Sequence, residues 1–251
     1  MKKPTHYIPR TLEKDVVHFL DVPEMMAIIG PRQCGKTTLL HHVCENLTSK
    51  KVRFVDFEDR DELRLFTEDI KAFAQLNVNG NDYVFIDEFQ YAAEGAQNLK
   101  FLYDHFPTKI IITGSSATEL SLKTIRYLVG RIFVFNLSPC TFQEVLTFED
   151  SALESLLSQD AELGAEITQR INRYYADYLV YGGYPRVVIS DTMKEKETVL
   201  KNIFNTYLLK EIKEILNYSE EFKLTKLIQA LSLQIGSLVN HNAQKNITIL
   251  A

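Results

Sequence analysis

Gly30-Pro31-Arg32-Gln33-Cys34-Gly35-Lys36-Thr37 decides the fold class of this 251-residue chain. The stretch reads GxxxxGKT. An apolar run, Met25 to Ile29, precedes it, and an amphipathic pattern follows it with Leu39, Leu40, Val43, Cys44 and Leu47 on one helical face. Strand, glycine-rich loop and helix in that order make a phosphate-binding loop. Backbone N–H groups of such a loop point at phosphate oxygens, and the following helix aims its positive end at the same anion. Lys36 adds a point charge for the β and γ phosphates, and the Thr37 hydroxyl suits a Mg²⁺ ion. Gly30, Pro31, Arg32, Gln33, Cys34, Gly35, Lys36, Thr37 and Thr38 are therefore the expected nucleotide-binding residues. A chance match to the four fixed positions is on the order of 1 in 100 for a chain this long.

Working outward, residues up to 137 alternate between short apolar runs and helical patterns. The strand candidates are Met25–Ile29, Val52–Phe57, Tyr83–Ile86, Lys109–Thr113 and Arg131–Leu137. Continuous apolar runs of this length suit parallel strands buried on both faces. Helical patterns lie between them at Lys36–Leu47, Arg60–Ala74, Gly95–His105 and Thr118–Leu128, and Asp59 with Glu62 reads as a capping box. The expected architecture is an α/β P-loop NTPase fold: a three-layer parallel sheet of five core strands, followed by an all-helical region. After Pro139 the pattern is helical at Cys140–Phe148, Ser151–Ser158, Ala165–Tyr181, Lys194–Leu216 and Glu220–Leu238. One turn, Tyr181-Gly182-Gly183-Tyr184-Pro185, interrupts it.

Ligands of parallel sheets bind beyond the carboxyl ends of the strands. Two polar strand ends join the phosphate loop there. Tyr83-Val84-Phe85-Ile86-Asp87-Glu88 ends in two acids, of which Asp87 is expected to hold Mg²⁺ and Glu88 to orient the attacking water. Ile110-Ile111-Ile112-Thr113-Gly114-Ser115-Ser116 ends in hydroxyls; Thr113 is the candidate γ-phosphate sensor, Ser115 the second choice, and Ser116 reads as a helix N-cap. A further cation at the γ phosphate comes from Arg131, preferred because Gly130 frees the backbone before it, or from Arg126 or Arg186. Tyr174, Tyr175, Tyr178 and Tyr181 share one helix and read as packing residues rather than a nucleobase platform.

Composition narrows the class. Net charge is −5, and residues 191–251 hold eight Lys or Arg against seven Asp or Glu, so no part is broadly basic. No apolar run approaches the ~18 residues that span a bilayer. The basic N-terminus Met1-Lys2-Lys3 is not followed by an apolar signal core. Cys34, Cys44 and Cys140 are odd in number and lack metal-ligand spacing, and His41, His42 and His241 have no ligand partners at such spacing. A cytoplasmic protein with reduced thiols and no membrane partner is expected. Cys34 reads as a small loop filler.

GPRQCGKTTLL, FIDEFQY, IITGSSATEL, LVGR, LSPCTFQEVL and YGGYP together resemble successive landmarks of a prokaryotic AAA-type P-loop ATPase family, whose members carry a C-terminal domain of unknown function. The likeness runs from about Tyr7 to Leu238. It implies ATP and Mg²⁺ at Gly35, Lys36, Thr37 and Asp87, with Glu88 catalytic, and it suggests that Arg131 serves near the nucleotide or across a subunit boundary. The expected layout is a P-loop ATPase domain over residues 1–138, a helical lid-like region over 139–190, and the start of a C-terminal helical domain over 191–251. Family members usually run further, so the chain reads as shortened within that last domain. The expected function is Mg²⁺-dependent ATP hydrolysis coupled to movement of the helical region. A nucleotide-gated binding module with slow or no hydrolysis and a DNA-processing ATPase are the alternatives. Expected partners are ATP, a second copy of the chain and an unidentified protein, with DNA suggested only by the family.

Overall fold

A computed structural model of the chain describes residues 7–92, 95–115, 127–158, 164–208 and 221–233. It contains one five-stranded sheet in the order β2-β3-β4-β1-β5, in which every neighbouring pair is parallel. The strands are β1 (Met25–Gly30), β2 (Val52–Asp56), β3 (Tyr83–Asp87), β4 (Lys109–Ser115) and β5 (Ile132–Asn136). β1, β3 and β4 are buried along their whole length, which is why they read as unbroken apolar runs. β2 and β5 are the two edges and are partly exposed.

Alternate residues of each strand face opposite layers. On one face, Met25, Ala27, Ile29, Val84, Ile86, Ile110 and Ile112 pack with Phe57, Phe66, Phe73, Phe89, Leu99 and Leu102. Those partners come largely from α3 (Arg60–Glu68), α4 (Ile70–Phe73) and α5 (Gly95–His105). The Phe57 ring lies 4.9 Å from Phe66 and 5.7 Å from Phe89, centroid to centroid. Truncating one such ring costs about 3–5 kcal/mol. On the other face, Met26, Ile28, Phe85 and Ile111 pack against Val16 of α1 (Leu12–His18) and Leu39, Leu40 and Val43 of α2 (Lys36–Asn46). These are the three layers expected from the pattern. The helix at 12–18 has too short a periodic stretch to stand out in the sequence.

The capping box expected at Asp59 is not formed. Asp59 does cap α3, accepting from the Asp61 amide at 2.9 Å, but Glu62 turns instead to Arg53 at 2.8 Å and Asn77 at 3.0 Å. A buried asparagine and a nearby guanidinium outbid the backbone for that carboxylate. The reciprocal box occurs instead at Thr141 and Glu144, opening α6 (Phe142–Glu149). The single helix expected over 60–74 is broken at Asp69, whose side chain caps α4 by accepting from the Ala72 amide.

Beyond the sheet come α7 (Ser151–Ser158), α8 (Ala165–Tyr181), the four-residue α9 (Pro185–Val188) and α10 (Met193–Asn202). The glycine-rich break before α9 is fixed by contact. A Cβ on Gly183 would stand 1.9 Å from the Cys140 carbonyl oxygen, and the Cys140 amide donates to the Gly183 carbonyl at 2.6 Å. Tyr178 donates to the same Cys140 carbonyl at 3.0 Å and its ring packs on Phe142, so the tyrosines of α8 that touch this joint are packing residues.

The chain divides into two compact units, Met1–Glu197 and Thr198–Ala251. The second contains the end of α10, a π-helical turn at Ile203–Leu208 and α11 (Glu221–Ser232). Ser116, Arg126, His241 and most of the helix expected at 118–128 lie outside the described residues, as do parts of those expected at 194–216 and 220–238. Among the described residues no helix is long and apolar enough to cross a membrane.

Candidate functional site

β4 lies between β1 and β3, so the strand carrying Thr113 separates the phosphate loop from the acid pair. Register makes this concrete. Thr113 pairs with Ile28 of β1, and Ile112 pairs with Ile86 of β3, which puts Thr113 level with Asp87. The Thr113 hydroxyl donates to Asp87 Oδ1, and the Glu88 amide is shared between Asp87 Oδ1 and Thr113 Oγ1 at 3.1 Å each. Both side chains are buried.

The phosphate loop leaves β1 at Gly30, where a Cβ would meet the Leu137 carbonyl oxygen at 2.0 Å. Lys36 is buried and its Nζ donates to the Gly30 and Pro31 carbonyls at 3.0 and 3.1 Å, closing the loop on itself. Gly35 has φ +100°, a conformation that favours glycine, and it N-caps α2. Cys34 is fully buried beneath the loop. Burial pushes its thiol pKa up despite Lys36 and Arg10 nearby, which suits a filler rather than a reactive thiolate.

Gln33 at φ 62° and Glu88 at φ 54° are the non-glycine residues with positive φ among those described. Both flank the site, where such strain tends to collect. The left-handed turn at Glu88 is what swings its side chain from the end of β3 to the cavity over the loop. There its carboxylate accepts from Gln90 Nε2, while Gln90 Oε1 accepts from the Ser115 amide at 3.1 Å. Gln90 thus ties Glu88 to the end of β4. Electrostatically this edge of the sheet is crowded with acids. Partial burial together with Asp56, Glu88 and Asp87 raises the Glu58 pKa, and Arg32 opposes the shift. A bound cation relieves such repulsion.

A cavity of about 300 Å³ opens above the loop. Gln33, Gly35, Lys36, Thr37 and Thr38, five of the nine loop residues expected from sequence, line it together with Glu88; Gly30, Pro31, Arg32 and Cys34 do not. Asp87 and Thr113 stand at the strand ends beside Glu88. Tyr7, Ile8, Arg10, Pro185, Arg186 and Ile189 also line the cavity. Of these, only Arg186 was a site candidate from the sequence, as one of three candidate cations. Tyr7 is held by a hydrogen bond to Glu13 at 2.5 Å and stacks on His42 with centroids 3.8 Å apart. Arg10 is buried and reaches the loop from a segment with no motif of its own. A lone arginine in Pro9-Arg10-Thr11 carries no periodic signal.

Arg131 is not brought to this cavity. It precedes β5, where its carbonyl accepts from the Met25 amide at 2.8 Å, at the opposite end of β1 from Gly30. Five strand steps separate the two ends, roughly 16 Å. Its guanidinium pairs with Asp104 at 3.3 Å and lies 6.0 Å from the Tyr103 ring centroid. Flexibility at Gly130, which favoured Arg131, therefore acts at the end of the sheet opposite the phosphate loop.

Residues 22–146 match a family model described as an AAA domain, and residues 172–248 match one described as a domain of unknown function. An uncharacterized protein of Haemophilus influenzae is 28% identical over 244 residues, covering 93% of this chain and 57% of its own length. The uncharacterized protein MJ1637 of Methanocaldococcus jannaschii is 26% identical over 248 residues, covering 90% of this chain and 52% of its own. The chain thus spans about half the length of these curated relatives. Among solved structures, the Walker-type ATPase paby2304 of Pyrococcus abyssi superposes with a TM-score of 0.55 at 14% identity, covering 96% of this chain and 88% of that one, a likeness of fold. With the phosphate loop, the acid pair and the 2-3-4-1-5 sheet in place, the chain belongs to the AAA-type P-loop ATPases: its residues 22–146 form the AAA domain, and a domain of unknown function follows at 172–248.

Proposed function

We propose that the chain binds ATP with Mg²⁺ and hydrolyses it, and that nucleotide state moves the helical region. The observation that carries this reading is the convergence of Lys36, Thr37 and Glu88 on one cavity at the carboxyl edge of the sheet, with Asp87 and Thr113 joined beside them. Gly35 to Thr38 supply loop amides and the start of α2 for the β and γ phosphates. Lys36 exchanges the loop carbonyls for phosphate oxygens. Thr37 and Asp87 would hold Mg²⁺, which supplies charge neutralisation across the phosphates. Glu88 orients a water and takes its proton as the water oxygen bonds to the γ phosphorus. The bond to the bridging oxygen breaks and ADP leaves with the electron pair. Thr113 holds Asp87 in place. Tyr7, Ile8, Pro185 and Ile189 offer apolar walls for the base, and Arg186 is the cation that this protomer brings to the phosphates. Arg131, on the far edge, is left for a second copy of the chain. In this reading residues 1–138 are the motor and 139–190 the lid.

Purified protein is expected to release phosphate from Mg²⁺-ATP. Lys36→Ala loses binding and release together, and Glu88→Gln keeps binding and loses release. Turnover untouched by both substitutions refutes the assignment. One observation favours a second reading, a nucleotide-gated switch with slow turnover: the Glu88 carboxylate is already engaged by Gln90. Tight ATP binding with negligible release in the presence of candidate partners would select it.

A further inference from the structure

Arg10 is buried at the junction of three segments and spends its guanidinium in three directions. Nη1 donates to the Cys34 carbonyl at 2.8 Å, Nη2 to the Ser138 carbonyl at 2.5 Å, and Nε to Glu144 Oε2 at 3.1 Å. Glu144 is fully engaged in turn. Its Oε1 accepts from the Thr11 amide at 2.6 Å and its Oε2 from the Thr141 amide at 2.9 Å, the second half of the α6 capping box.

The carbonyl of Cys34 belongs to the same peptide plane as the Gly35 N–H. No cis peptide occurs among the described residues, and a trans plane sets C=O and N–H antiparallel. Holding the carbonyl against Arg10 therefore turns the Gly35 amide away from Arg10, at the residue that caps α2 and lines the cavity. Glycine at φ +100° has little steric preference for one plane orientation over another, so an external tether decides it. The same guanidinium holds the first turn of α6. Next to that turn, Cys140 grips Gly183, and through it the turn that carries Arg186.

We propose that Arg10 is a positioning residue, which presets the Cys34–Gly35 peptide for phosphate capture and, through Glu144, makes the loop and the helical region respond as one unit. The proposal rests on the nucleotide-binding reading above. Lysine keeps the charge but cannot serve three directions with fixed geometry.

The test measures equilibrium binding of ATP, ADP and adenosine to wild type, Arg10→Lys, Glu144→Gln and the double variant. Wild type that binds no nucleotide defeats the underlying reading rather than this one. Arg10→Lys is expected to weaken ATP and ADP on the order of 10-fold or more, the scale of a lost charge-assisted hydrogen bond, while adenosine binding stays unchanged. A general structural defect would weaken adenosine equally and overturns the proposal, as does ATP binding by Arg10→Lys at wild-type strength. The two substitutions are expected to be non-additive, the double variant binding like Arg10→Lys alone; multiplying effects refute the coupling. If Arg10→Lys does not fold, Glu144→Gln carries the test: selective weakening of ATP over adenosine supports the proposal, and equal or absent weakening refutes it.

Discussion

The Thr113 hydroxyl donates to Asp87 Oδ1 across adjacent parallel strands, with both side chains shut away from solvent. A candidate sensor and a candidate metal ligand are thus one unit. Thr113→Val keeps the shape and removes the donor, together with one of the two acceptors of the Glu88 amide. Loss of a hydrogen bond to a charged group costs about 1.5–3 kcal/mol, so turnover is expected to fall roughly 10- to 100-fold, with ATP binding changed far less. Steady-state kinetics beside fluorescent-nucleotide titration checks this; equal kcat in the two proteins would sink it.

Gln90 offers a different handle, because its amide meets Glu88 with one end and the Ser115 N–H with the other. Gln90→Leu removes the donor to Glu88 and the acceptor of the Ser115 amide together, so the carboxylate loses its tether to β4. A hydrogen bond to a charged group contributes about 1.5–3 kcal/mol, so turnover is expected to fall roughly 10-fold or more while ATP binding changes little. Equal kcat in variant and wild type would show that the contact does not position Glu88.

Arg186 and Arg131 separate cleanly. Arg186→Ala removes a cation from the cavity and is expected to weaken ATP several-fold, more than it weakens adenosine. Arg131→Ala breaks the pair with Asp104 at the far end of the sheet and is expected to leave binding by the isolated protomer unchanged. If turnover depends on assembly, Arg131→Ala lowers it only at concentrations where copies associate. Light scattering beside an ATPase titration reads both, and weakened binding by monomeric Arg131→Ala contradicts the geometry.

Gly183→Ala puts a methyl 1.9 Å from the Cys140 carbonyl oxygen, a clash that backbone must absorb. Overpacking of this kind costs roughly 1–3 kcal/mol. A denaturant midpoint lowered to match is expected, and an unchanged midpoint would contradict this packing.

Glu144 gives the stability a defined acid limb. Burial raises its pKa, but the Thr11 and Thr141 amides and the Arg10 charge outweigh burial, so the folded value lies below the ordinary 4.5. A depressed carboxylate adds stability that is fully present above the unfolded value and lost as pH falls through the folded one. Wild type should therefore lose stability below about pH 4.5, and Glu144→Gln should show a flatter acid limb while losing roughly 1–3 kcal/mol at neutral pH. Parallel limbs in the two proteins would refute the assignment.

The chain's sequence by itself determined the loop, the acid pair and the spans of the strands. Each is a local pattern: GxxxxGKT after Met25–Ile29, or Asp87-Glu88 after Tyr83–Ile86, is legible because a strand end fixes its own neighbours. Strand spans came within two residues of those observed, since central strands buried on both faces leave unbroken apolar runs. Only the tertiary structure decided which distant groups meet there. Arg10 and Glu144 are 134 residues apart and join through hydrogen bonds that no spacing announces. Arg131 follows Gly130 and Arg186 follows the Gly182-Gly183-Tyr184-Pro185 turn, and the direction of β5 against the fold of that turn is what sends one away from the cavity and the other into it. Periodicity records which face of an element is buried. It does not record what a buried polar side chain meets across the core, and that meeting is what assembles this site.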